Sequence, residues 1–207
     1  MDVGAGSWAA PGSGTIVGMA SVALFHSVYG LRPAVLAAAE LLRGQGHVVV
    51  TPDLYGAGPA DTLSDGFALA DKVGFEQMVE RARDGVRDLP PETVLVGISM
   101  GTGIVDALLP ERTETAGVLL LSGAAVTPEL VPGGLRAQLH VADPDDEFVP
   151  PAAVGGWIAA MTSAEAAFEV YRYPGVGHLW TDDGVDDYDG LASDLVWQRC
   201  AEFLRLS

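Results

Sequence analysis

The stretch TVLVGISMGTGIVDALL, residues 93–109, decides the fold of this chain. Its first four residues form a short run rich in valine and leucine, which is typical of a strand buried on both faces of a parallel sheet. Residues 100–109 are predicted to form a helix that ends before Pro110. A turn with glycine at both ends, Gly97-Ile98-Ser99-Met100-Gly101, joins the two elements. The stretch therefore predicts a strand, a sharp turn and a helix.

The turn has the pattern Gly-x-Ser-x-Gly, which places a nucleophilic serine between a strand and a helix in many hydrolases. Side chains at positions 97 and 101 would collide with neighbouring backbone, and the strained turn pushes the hydroxyl of Ser99 into the open. The N-terminus of the following helix points at the place where an oxyanion would develop. The pattern alone is weak evidence, because a glycine-rich turn can serve packing only. In this setting it makes Ser99 the candidate nucleophile.

Outward from this stretch, strands and helices alternate along most of the chain. The predicted strands are residues 20–25, 47–51, 93–96, 116–121, 135–141 and 168–173, and the predicted helices are residues 33–43, 70–89, 100–109, 151–161 and 191–204. Residues 55–66 are rich in Gly, Pro, Asp and Ser and are interpreted as a loop. The alternation predicts an α/β fold: a compact, mostly parallel, twisted sheet with helices on both faces.

The length of 207 residues suits one domain. We expect residues 19–207 to form it, and residues 1–18 to be a flexible lead-in to which we assign no function. No insertion is long enough for a large lid.

Composition excludes several classes of function. The net charge of −17 repels phosphate backbones and anionic lipid surfaces, so neither a nucleic acid nor a membrane is an expected partner. Apolar runs are too short to span a bilayer, and the early residues do not resemble a secretory signal. The lone cysteine, Cys200, cannot form a disulfide within the chain. We therefore expect a cytoplasmic protein.

The sequence also lacks the patterns of common cofactor sites. It has no Gly-Lys-Ser/Thr phosphate loop, no complete dinucleotide fingerprint and no Cys/His set with zinc spacing. An acidic segment at 182–189 does not match a calcium loop and is interpreted as solvated. We expect no cofactor and no metal.

A serine nucleophile needs a base, and the base needs an acid that orients it. Ligands of parallel α/β sheets bind beyond the carboxyl ends of the strands, and on this fold the order is Ser, Asp, His. His178 follows the last predicted strand and is the candidate base. His26 also ends a strand but precedes the turn, His47 begins a strand at the opposite edge, and His140 lies within a strand and is interpreted as a core residue. Four acidic residues follow the preceding strand, and the residue pattern alone leaves the choice open: Asp143, Asp145, Asp146 and Glu147.

Several of these segments resemble the dienelactone hydrolase family of α/β hydrolases. The resemblance spans residues 20–205, and its marks are FHSVYG at 25–30, PDLY at 52–55, the turn at 97–101, DEFVP at 146–150 and YPGVGH at 173–178. It implies that Asp146, three residues before Val149-Pro150, is the triad acid and that His178 is the base. It also implies an oxyanion hole formed by the backbone N–H groups of Val28 and Met100.

The chain departs from the name-giving enzymes of that family at two positions. Ser99 stands where they have cysteine, and Ser27 stands where they have a glutamate in the first loop. No arginine is placed to hold a substrate carboxylate, since Lys72 and Arg81 are interpreted as surface residues. The resemblance therefore implies a serine carboxylesterase or lactonase rather than dienelactone hydrolysis itself.

The expected substrate is a small ester or lactone, and the protein is expected to be a monomer or homodimer. Candidate pocket walls are Tyr29, Tyr55, Met100, Phe148 and Trp180. Two alternatives remain open at this point: acyl transfer to an acceptor other than water, and a binding protein that keeps the fold without catalysis.

Overall fold

A sheet of six strands forms the centre of the computed structural model, which describes residues 18–144 and 146–206. Every described strand pair is parallel, and the strands lie in the order β2-β1-β3-β4-β5-β6. The strands are β1 (Ser21–Phe25), β2 (Val48–Val50), β3 (Val94–Ile98), β4 (Val118–Leu121), β5 (Arg136–Asp143) and β6 (Ala167–Pro174). The predicted α/β sheet is confirmed.

Helices cover both faces of this sheet. They are α1 (Pro33–Gly44), α2 (Leu63–Val73), α3 (Phe75–Val86), α4 (Met100–Leu108), α5 (Pro151–Ser163) and α6 (Gly190–Leu204). Helices α1 and α6 pack on one face, and α3, α4 and α5 pack on the other. Successive strand residues alternate between the two cores: Leu24 of β1 packs with α1 and α6, whereas Phe25 packs with α3 and α4. This double burial explains the unbroken apolar runs in the sequence.

The segment between β2 and β3 differs from its prediction. The single helix predicted over 70–89 is two helices, because Gly74 adopts φ +81° and ψ 146° and separates α2 from α3. Helix α2 begins at Leu63, inside the predicted loop, and the side chain of Thr62 caps it by accepting a hydrogen bond from the N–H of Asp65. Apolar spacing continues across Gly74, so the pattern alone hid the break.

His140 is a core residue, as predicted. It is fully buried, and its Nδ1 accepts a hydrogen bond from the hydroxyl of Tyr173, which in turn accepts one from Arg199. Burial, assisted by the charge of Arg199, lowers the pKa of His140 to about 3. The imidazole is therefore neutral at physiological pH and serves packing.

Within the described residues, no helix is long and apolar enough to cross a membrane. Residues 1–17 of the predicted lead-in lie outside the described part. The cytoplasmic location stays a prediction.

The close approach of α4 to β1 yields a test of the fold. A Cβ at Gly101 would lie 2.4 Å from the carbonyl oxygen of Phe25, whereas a Cβ at Gly103 would meet only the ring of Phe75, at 3.6 Å. Gly101→Ala should lower the free energy of unfolding by at least about 2 kcal/mol, because backbone must move. Gly103→Ala, two residues along the same helix, should be neutral or stabilise by up to about 1 kcal/mol. Urea unfolding measures both, and equal midpoints for the two variants would contradict the close approach.

Candidate active site

Ser99 lies at the sharp turn between β3 and α4. Its backbone has φ 51° and ψ −113°, a left-handed conformation that strains a residue with a side chain. The turn tolerates no side chain on either flank: a Cβ at Gly97 would lie 2.6 Å from the carbonyl carbon of Gly101. The N–H of Ser99 donates to the carbonyl of Leu121 at 2.8 Å, which holds the turn to β4. The hydroxyl therefore projects from the carboxyl edge of the sheet on a rigid support.

His178 reaches Ser99 from the loop after β6. Its Nε2 lies 2.8 Å from the Oγ of Ser99, at hydrogen-bonding distance. The loop that carries it is held from behind by Asp187, whose carboxylate accepts a hydrogen bond from the N–H of Leu179 at 3.0 Å and packs against Gly177. The candidate base and the candidate nucleophile are thus within hydrogen-bonding distance of each other.

The acidic segment at 182–189 is not merely solvated. Asp182 is buried and lies 3.5 Å from the guanidinium of Arg32, and Asp187 supports the loop of His178. The prediction of a solvated loop is therefore wrong for these two residues. A run of acidic residues in sequence does not show which of them turn inward.

Asp146 lies behind His178. The two oxygens of its carboxylate are 2.8 and 3.0 Å from Nδ1 of His178, and its side chain is only 1% exposed. Burial would raise the pKa of Asp146, but the hydrogen bond and charge of His178, with the N–H groups of Phe148 and Val149, outweigh it and hold this pKa below its ordinary value. The carboxylate is thus ionised and can hold an imidazolium.

The other described candidates for the triad acid do not contact His178. Asp143 pairs with Arg172 at 3.0 Å on the surface, and Glu147 is exposed. Asp145 lies outside the described residues. Among the described candidates, the structure brings only Asp146 to the histidine.

Val28 and Met100 are the candidate oxyanion-hole residues. Both line the same cavity as Ser99. The N–H of Met100 is the first of α4, where no carbonyl of the helix precedes it by four residues, so it is available to a ligand. Both residues therefore border the cavity at Ser99, and their role as N–H donors to an oxyanion stays a prediction.

The loop that carries Val28 is held by side chains behind it. The hydroxyl of Tyr55 donates to the carbonyl of Val28 at 2.7 Å, and burial raises the pKa of Tyr55 to about 12, so the hydroxyl stays protonated. Nε2 of His26 accepts a hydrogen bond from the N–H of Leu54, so Nδ1 carries the proton that is donated to the carbonyl of Ser27 at 2.7 Å. The sequence analysis set His26 aside because it precedes the turn, and it predicted Tyr55 to be a wall of the pocket.

A mostly apolar cavity of about 410 Å³ opens at Ser99. Its walls come from the loops after β1, β3, β5 and β6 and from α2 and α3. The lining residues are Val28, Leu63, Phe67, Ala70, Asp71, Gly74, Phe75, Met78, Ser99, Met100, Phe148, His178 and Leu179. The ring of Phe148 lies 4.7 Å from that of His178. A cavity of this volume lies near the lower end of the range for small-molecule sites.

Two of the five predicted wall residues, Met100 and Phe148, line this cavity, and three do not. Trp180 is fully buried and packs on Tyr173, with ring centroids 5.0 Å apart. Tyr55 is buried beneath the loop of Val28, and Tyr29 packs against the guanidinium of Arg32. The prediction is corrected at these three positions.

No lysine or arginine lines the cavity among the described residues. Arg81 instead donates to the carbonyl of Leu54 at 2.9 Å and supports the loop after β2. The described part of the chain also holds no cluster of three or more His, Cys, Asp or Glu that could bind a metal ion.

Comparison with known proteins identifies the family and the fold of this chain. The model of the dienelactone hydrolase family matches residues 15–206. No curated protein matches the chain. One similar solved structure is a dienelactone hydrolase-like promiscuous phosphotriesterase from metagenomic libraries, with 17% identity, 89% of this chain and 85% of that chain covered, and a TM-score of 0.70.

Two further structures resemble this fold. A putative dienelactone hydrolase from Klebsiella pneumoniae subsp. pneumoniae MGH 78578 has 16% identity, 93% and 89% coverage of the two chains, and a TM-score of 0.71. Esterase PE8 has 20% identity, 92% and 94% coverage, and a TM-score of 0.64. At such identities the structures show the α/β-hydrolase fold alone, but the family model spans nearly the whole sequence. The chain therefore belongs to the dienelactone hydrolase family and is a hydrolase acting on ester bonds.

Proposed function

We propose that this protein is a serine hydrolase that cleaves small ester or lactone substrates through Ser99, His178 and Asp146. One observation carries the proposal: an unbroken line of contacts from Oγ of Ser99 to Nε2 of His178, 2.8 Å, and from Nδ1 of His178 to the Asp146 carboxylate, 2.8 Å. The strained backbone of Ser99 and the apolar cavity beside it support the same role.

In the first half of the reaction, Oγ of Ser99 attacks the carbonyl carbon while Nε2 of His178 takes the hydroxyl proton. The N–H groups of Val28 and Met100 stabilise the oxyanion of the tetrahedral intermediate. Asp146 stabilises the imidazolium through Nδ1. As the intermediate collapses, the C–O bond to the alcohol breaks, His178 returns its proton to that oxygen, and an ester of Ser99 remains.

In the second half, water replaces the alcohol. His178 takes a proton from water as the oxygen attacks the acyl carbon, and the proton then goes to Oγ of Ser99 as the acid leaves. With a lactone the leaving alcohol stays tethered to the acyl group, so the product is a single hydroxy acid. The reaction needs no cofactor.

A fluorophosphonate probe, with peptide mass spectrometry to locate the adduct, tests whether Ser99 is activated. We expect labelling of Ser99 that is lost in Ser99→Ala and in His178→Ala, and a fall in kcat of roughly 10⁴–10⁶-fold in either variant. Ser122→Ala is the matched control, because Ser122 also has positive φ at the end of the neighbouring strand. Ser99→Ala with near-wild-type activity would disprove the assignment.

Paired substitutions test which carboxylate orients His178. Asp146→Asn keeps the shape of the side chain but removes the charge that stabilises the imidazolium, so kcat should fall by about 10³–10⁴-fold. Asp143→Asn breaks only the surface pair with Arg172 and should change kcat less than twofold. Steady-state kinetics on a 4-nitrophenyl ester measure both, and the reverse order of effects would identify Asp143 as the acid.

Tyr55→Phe tests whether the loop of Val28 helps to bind the oxyanion. Loss of the hydrogen bond to the Val28 carbonyl should lower kcat by about 3- to 10-fold with a smaller change in KM, because the oxyanion forms only in the transition state. Tyr29→Phe is the control: it lies in the same loop, and no described residue hydrogen-bonds its hydroxyl. A rise in KM with kcat unchanged would assign Tyr55 to substrate binding instead.

A further inference from the structure

Most apolar side chains on the outer wall of the cavity lie outside both cores, and Ala70 also packs against one of them. Helix α2 has one buried residue, Gly66, and turns Leu63, Phe67 and Ala70 toward the cavity. Phe75, at the start of α3, lies on the same wall. Apolar side chains gain free energy when a ligand removes them from water, so this wall fits an apolar part of a substrate.

Three phenyl rings surround the opening. Phe67, Phe75 and Phe148 are 47%, 50% and 45% exposed, although each lines the cavity. Such half-exposed aromatic side chains around a concave site are typical of a surface that a ligand covers. The volume of about 410 Å³ accommodates a chain or ring of moderate size beside the scissile carbonyl.

The charge of the cavity is as informative as its apolar walls. Among the described residues that line it, Asp71 is the one carboxylate and there is no lysine or arginine. Asp71 is exposed and forms no ion pair with a described residue, and the neighbouring Lys72 does not line the cavity. A net charge of −17 adds a field of the same sign. An anionic substrate would meet repulsion and no compensating partner.

We propose that the cavity selects esters whose apolar part is uncharged or ends in a cation, and that Asp71 discriminates against anionic substrates. This proposal rests on the proposed serine hydrolase function. It predicts that an ester with a carboxylate or sulfonate at its far end is a poor substrate, whereas an ammonium at the same place is accepted. Specificity here comes from repulsion of the wrong charge as well as from apolar contact.

The test compares three esters with the same six-carbon acyl chain: 4-nitrophenyl hexanoate, its 6-sulfonate and its 6-trimethylammonium derivative. A second series puts the same three end groups on the alcohol, as acetate esters of hexanol followed by pH-stat. One of the two series places its end group in the cavity. In that series, kcat/KM for the sulfonate ester should be about 10-fold below the values for the uncharged and cationic esters at low ionic strength. The difference should shrink in 0.5 M salt, where the Debye length is about 4 Å.

Variants assign the discrimination to Asp71. Asp71→Asn should reduce the ratio of kcat/KM for the cationic ester to that for the anionic ester by about 3- to 10-fold, and Asp71→Lys should reverse the preference. Asp88→Asn makes the same change in net charge at an exposed position outside the cavity and should leave the ratio unchanged.

The outcomes separate this proposal from the proposed function. Hydrolysis of the hexanoate that depends on Ser99, with a ratio that Asp71→Asn does not alter in either series, would overturn the selection by Asp71 and keep the hydrolase. No hydrolysis of any ester and no fluorophosphonate labelling would overturn the serine hydrolase itself. A sulfonate ester that is the best substrate in both series would overturn the proposal.

Discussion

The contact between the first turn of α4 and the end of β1 is the constraint on which the site depends. Gly101 lies against the carbonyl oxygens of Phe25 and His26, and Gly97 lies against Gly101 itself. Only backbone without side chains fits there. This close approach forces Ser99 into a left-handed conformation, and the neighbouring strand holds it in place through the N–H of Ser99. The strain is local, and the packed sheet around it supplies the stability that maintains it.

The groups around Ser99 are held mostly by hydrogen bonds to backbone. Asp146 accepts two N–H groups of its own loop, Asp187 accepts one from the loop of His178, and Tyr55 donates to the loop of Val28. Each loop begins at the carboxyl end of a different strand, so the sheet fixes the starting point of each loop. The polar contacts fix the position of the rest of the loop. Rigid support of this kind keeps reacting groups within hydrogen-bonding distance before a substrate arrives.

Much of this arrangement is readable from the sequence. Strand and helix alternation predicts the α/β sheet, and the glycines at 97 and 101 predict the turn, because both depend on local spacing and residue size. The resemblance to the dienelactone hydrolase family singles out Asp146, which the residue pattern left among four candidates. The residues that line the cavity were harder to predict. Trp180 and Tyr55 face the protein interior, and the sequence does not show which way an aromatic side chain after a strand turns. The first part of helix α2 was missed because its Gly, Asp and Ser content resembles a loop, and its cap at Thr62 only becomes clear in three dimensions.

The shallow burial of α2 has a consequence for how this protein can change over evolutionary time. The side chains of Leu63 and Phe67 line the cavity but belong to neither core. The helix packs on the core through Leu69, Ala70 and Val73, and on the loop of Val28 through Gly66. Substitutions on the cavity side of α2 therefore cost little folding stability, whereas those at the turn of Ser99 cost a great deal. On the proposed function, we expect single mutations in this one helix to change the substrate range without moving Ser99, His178 or Asp146.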